Sequence, residues 1–150
     1  MAPGYGPDHA EVARALTGLG QVLLDLGLLE EARQCQQQAL AIFERRFGEV
    51  DLEAARTLDK LGYVTRELGE LDAARRCHMR ALDIFRLVFN DDDHPEVAFV
   101  LTNLAMALGE LGLVEDARRH HEQALAIFDR FGDRFSVIVR GRIANLPVGD

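Results

Sequence analysis

The sequence has no tryptophan, four prolines, two cysteines, one serine (Ser136) and one lysine (Lys60) in 150 residues. Cys35 and Cys77 are too few for a disulfide scaffold and fit a reducing cytoplasm, the location expected of this chain. No Gly-rich phosphate loop, Gly-x-Ser-x-Gly or His-Glu-x-x-His occurs, so the usual phosphate-binding, esterase and metalloprotease constellations are missing. A non-enzymatic protein without cofactor or metal is expected. Apolar runs end after a few residues, which excludes a membrane-spanning helix. The opening residues Met1–Tyr5 lack the basic and apolar regions of a secretory leader. Basic charge is also short. The net charge of −8 lacks the footprint that a phosphate backbone requires, so nucleic acid is excluded as the main partner. What is present suits a folded domain: 48% hydrophobic and 28% charged residues exclude a disordered chain. A domain of this length buries roughly 70% of its unfolded surface.

The sequence repeats itself. Gly27-Leu28-Leu29-Glu30-Glu31-Ala32-Arg33 returns as Gly69-Glu70-Leu71-Asp72-Ala73-Ala74-Arg75 and as Gly112-Leu113-Val114-Glu115-Asp116-Ala117-Arg118, at spacings of 42 and 43 residues. The same register aligns Leu16, Leu58 and Leu101; Leu19, Leu61 and Leu104; Ala39, Ala81 and Ala124; and Phe43, Phe85 and Phe128. The extra residue belongs in the acidic loop Asn90–Asp93, because loops tolerate insertions. Ile143 and Leu146 begin a fourth, partial copy.

Each unit reads as two helices. Val12, Leu16, Leu19, Leu23 and Leu26 recur every three or four residues, and so do Ala32, Cys35, Ala39, Ile42 and Phe43. Gly27, Gly69 and Gly112 stand between the halves, where a left-handed residue ends a helix. Glu30, Glu31, Asp72, Glu115 and Asp116 then complement the dipole of the next helix. Asp8 with Glu11, and Asp93 with Glu96, have capping-box spacing. Helices are predicted over 9–26, 29–47, 51–68, 71–89, 94–111, 114–131 and 135–146, with no strand. One helix pair cannot bury its apolar face, so the pairs must stack. The last helix caps the stack with Arg134, Arg140, Arg142 and Asn145 outward. Its other face (Phe135, Val137, Ile138, Val139, Ile143) is apolar enough to leave a sticky end.

The pattern Leu19-Gly20, Leu23, Gly27, Ala32, Ala39-Leu40, with its two copies, resembles the tetratricopeptide repeat (TPR). Its length and the connectors Gly6–Ala13 and Asp93–Ala98 are similar to those of the kinesin-light-chain type. The resemblance implies an all-α, right-handed α-solenoid: a single domain with repeats at about 8–48, 50–90 and 93–132, then a half repeat at 133–146. It also implies a protein-interaction module, often part of a larger bacterial regulator. The opening connector and the short final helix fit a segment of a longer array.

In such arrays the first helices line a concave groove. The matching positions are Arg14, Thr17, Gly18 and Gln21; Arg56, Asp59, Lys60, Tyr63 and Arg66; Phe99, Thr102, Asn103 and Met106; and Ala144 and Asn145. They vary between repeats while the packing columns do not. Arg14, Gln21, Arg56, Lys60, Tyr63, Phe99, Asn103 and Met106 are the candidate peptide-binding residues. Arg14, Arg56, Lys60 and Arg66 suggest an acidic ligand, and Phe99 and Met106 a partly apolar one. The Lys–Asn–Arg clamp that holds terminal carboxylates in some relatives is mostly absent, with Thr17, Gln21, Lys60, Phe99 and Asn103 at its positions. The alternative is self-association through open array ends, giving a homodimer or larger assembly. Cys35-Gln36, Cys77-His78 and His120-His121 share two columns, but stacked columns lie roughly 10 Å apart, too far for zinc bonds of about 2 Å. They read as packing residues.

Overall fold

A computed structural model describes residues 9–91, 93–132 and 135–148. It contains α1 (Ala10–Asp25), α2 (Leu29–Phe47), α3 (Leu52–Glu67), α4 (Leu71–Phe89), α5 (Pro95–Glu110), α6 (Val114–Arg130) and α7 (Phe135–Ala144). No strand occurs among the described residues. Each helix packs on its neighbours in the chain, and α3 also touches α5. That order of contacts is a stack of hairpins rather than helices gathered round one centre.

The glycines close the first helix of each hairpin as expected. Gly27, Gly69 and Gly112 have φ of 78°, 83° and 84°. The next N–H then reaches back to a carbonyl five residues earlier: Leu28 to Leu23, Glu70 to Thr65 and Leu113 to Leu108, each at 2.9 Å. This double-bonded stop satisfies carbonyls that the helix leaves open. The caps at the other end differ from the expectation. His94, not Asp93, caps α5: its Nδ1 accepts the Glu96 N–H at 3.1 Å. His9 does the same for Glu11 at 3.0 Å. Pro95 occupies the first turn of α5 and so fixes the cap at residue 94. The Asp93 carboxylate instead meets Arg130 at 2.7 Å. Asp8 lies outside the described residues.

The core is a strip of repeated columns. Phe43, Phe85 and Phe128 are each 1% exposed, and Ala39, Ala81 and Ala124 let the helices close on them. Phe135, Val139 and Ile143 of α7 join this strip. Phe135 packs edge-on against Phe99 at 4.9 Å and therefore is not part of an open end. Val137 and Ile138 form the exposed apolar part of α7. Arg134 lies outside the described residues.

Candidate functional site

The first helices of successive hairpins bring four of the expected residues to one cleft of about 370 Å³. Gln21 comes from α1, Lys60 and Tyr63 from α3, and Asn103 from α5. A smaller hollow of about 160 Å³ lies beside it, with Arg56, Lys60, Glu96 and Phe99 on its walls. Lys60 is the ridge between the two. Arg14 and Met106 line neither, and Met106 is half-buried.

The floor of the larger cleft is a hydrogen-bonded polar layer. Asp59 meets His78 Nδ1 at 2.7 Å and accepts from Asn103 Nδ2 at 3.1 and 3.2 Å. A carboxylate only accepts, so the buried His78 donates its Nδ1–H to Asp59 and holds it in place. One repeat earlier Gln36 takes the same place, 1% exposed, with Nε2 facing the Thr17 carbonyl at 3.4 Å. Gly62 and Gly20 make room for these side chains. A β-carbon on Gly62 would stand 2.6 Å from the His78 ring, and one on Gly20 2.6 Å from Gln36 Nε2. His121, in the third repeat, is also buried.

The expected basic cluster is not a free one. Arg56 makes a two-armed bond to Glu96 at 2.5 and 2.8 Å, which ties α3 to α5. That bond raises the Arg56 pKa and holds the Glu96 carboxyl below its usual range. Arg66 reaches Glu110 at 2.7 Å and lies over the Tyr63 ring at 5.2 Å. Arg14 pairs with Glu11 in its own helix. The sequence places these carboxylates one repeat or one turn away from the arginines, and that spacing was the signal to read. Lys60 is the one expected cation without an ion pair among the described residues. Asp25, Gln36 and Glu67 line the cleft without having been expected there. Phe99 is 36% exposed but anchored edge-on to Phe128 at 5.0 Å.

Cys35 is buried and Cys77 half-buried, and neither is in a disulfide. Burial pushes the Cys77 thiol up, which favours its protonated form. Among the described residues no three of His, Cys, Asp and Glu converge as metal ligands. No helix among them is long and apolar enough to cross a membrane.

The sequence profile of the tetratricopeptide repeat matches residues 3–45 and 53–130. The chain belongs to the tetratricopeptide-repeat family. The TPR array is a right-handed α-solenoid, with α7 packed on the last described hairpin. It resembles the kinesin-light-chain TPR-like repeats of Podosopora anserina, with a TM-score of 0.83 at 18% identity over 92% of this chain. The apo form of RapI gives 0.81 at 19% over 92%, and BtubC (BKLC) from P. vanneervenii 0.75 at 17% over 99%. The chain spans 66% of the kinesin-light-chain array, 49% of RapI and 70% of BtubC. No curated protein matches it. TPR arrays are generally protein-interaction modules, and the fold is a typical non-enzymatic scaffold.

Proposed function

We propose that this TPR array is a cytoplasmic, non-enzymatic module that holds a peptide or partner helix in its concave groove, as the sensor or scaffold part of a larger bacterial regulator. One observation carries this reading. Gln21, Lys60, Tyr63 and Asn103 come from three successive first helices and line a single cleft. A side-chain amide, an ammonium, a phenol and a second amide offer orientation and contact area without a reactive group. The apolar part of the expected ligand keeps its support in exposed Phe99 and Tyr63. The acidic part keeps only Lys60, because Arg14, Arg56 and Arg66 already hold carboxylates. Tyr63→Ala with Asn103→Ala tests the reading against a random-sequence peptide pool. The double variant should lose most pool binding, while Met79→Ala with Arg119→Ala, in a different cleft, should keep it. Equal retention by the groove variant and wild type removes the groove as the site.

A second reading, self-association through the array ends, has its own observation. Leu19, Val22 and Leu26 are 50%, 54% and 68% exposed on one face of α1. The counterparts of Leu19 and Val22 (Leu61, Val64, Leu104 and Ala107) are at most 7% exposed because the preceding hairpin covers them, and those of Leu26 (Leu68 and Leu111) are half-buried. No helix among the described residues covers α1 in this way.

A further inference from the structure

In the lining of the 370 Å³ cleft itself, Asp25, Asp59 and Glu67 face one ammonium, Lys60, while the guanidiniums of Arg66 and Arg142 lie outside that lining, near Tyr63. The nearby guanidinium of Arg66 reaches Glu67 at 3.3 Å but has its shorter bond with Glu110. Asp25 accepts from Gln21 Nε2 at 3.1 Å and keeps acceptor capacity to spare, as a carboxylate has about four acceptor positions. Gln36 supplies an independent observation. It lines the cleft at 1% exposure, and its Oε1 has no donor. Turning the amide over would set that oxygen against the Thr17 carbonyl, so the acceptor stays unmet. Buried acceptors without donors are rare and costly, and here one stands at the wall of an acidic hollow.

We propose that this cleft receives an arginine side chain of the bound segment, its guanidinium among Asp25, Asp59 and Glu67 and one N–H directed toward Gln36 Oε1. The proposal deepens the groove reading and rests on it. Arginine fits better than lysine because its flat fork offers five donors to several acceptors at once. The Tyr63 ring, 37% exposed, adds a face of the kind it already offers Arg66. Asp59 is held for this role by His78 and Asn103 from below. Lys60 then opposes the ligand, whereas it would attract an acidic one, so the two ligand charges predict opposite effects of removing it.

The test titrates N-acetyl-arginine amide and N-acetyl-glutamate amide into the full chain and follows the side-chain amides of Gln36 and Asn103 by NMR. Arginine should give saturable shifts at both and glutamate none. Lys60→Met should tighten arginine about two- to fivefold, the scale of one exposed charge pair, and Asp25→Asn with Glu67→Gln should weaken it by at least as much. Both carboxylates are exposed, so the double variant keeps its fold. Saturation by glutamate instead, no saturation by either probe, or weaker arginine binding by Lys60→Met overturns the proposal. A random-sequence peptide pool forms the second arm. If the pool shifts the Lys60, Tyr63 and Asn103 backbone signals while arginine shifts nothing, the arginine site fails and the groove stands. If the pool shifts none of them, both fail.

Discussion

At Gly62 a single carbon atom decides how a histidine packs. Its missing β-carbon is what allows the His78 ring to lie on α3 and reach Asp59. Gly62→Ala should therefore destabilise the chain by about 1–3 kcal/mol, the range of overpacked sites, although alanine is the better helix former. Gly18→Ala, with open space around it in the same helical setting, should stabilise by about 0.5–1 kcal/mol. Denaturant unfolding of both variants checks the contrast. His121 gives a second residue-scale expectation. Burial, then the charges of Arg142 and His120, push its pKa down from 6.5 to about 4. The unfolded chain binds that proton first, so the neutral histidine's stability is complete above pH 6.5 and is lost as pH falls toward 4. The loss should reach about 2–3 kcal/mol. His121→Gln, which copies the residue repeat one uses in that column, should flatten this part of the pH profile in thermal unfolding. Both columns were visible in the sequence, the polar one 36/78/121 and the small one 20/62/105. What the spacing alone left unread was that one column sits against the other, because that contact joins two helices of a hairpin.

Among the elements, the helices were the most legible part. Period and glycine stops are local signals: the period marks each of the described helices, and Gly27, Gly69 and Gly112 end the first helix of each hairpin. Caps were less legible, since Asp and His stood side by side and the choice depended on where Pro95 begins α5. The site was legible in position but not in charge. Four candidates meet at one cleft, yet Arg14 pairs within its own helix and Arg56 and Arg66 pair about one repeat away, a spacing that only the stacking of the repeats turns into contact. The ends of the array belong to this scale too. The self-association reading predicts a wild-type mass that falls on dilution in light scattering, and a constant monomer mass for Val22→Asp. Equal masses for both at every dilution contradict it.

For the whole molecule, function follows from stacking. Each hairpin covers the apolar face of the next, which aligns first helices whose packing residues are fixed and whose remaining residues are free to differ. Those differing residues make an inner face with a cleft between α1, α3 and α5. The most direct measurement of this claim is backbone NMR of the full chain with the tightest peptide selected from a random pool. The account predicts that the largest shifts fall on Gln21, Lys60, Tyr63 and Asn103, with α2, α4 and α6 little changed at their exposed residues. Shifts concentrated on Met79, Arg119 and their neighbours, with the cleft silent, would contradict it.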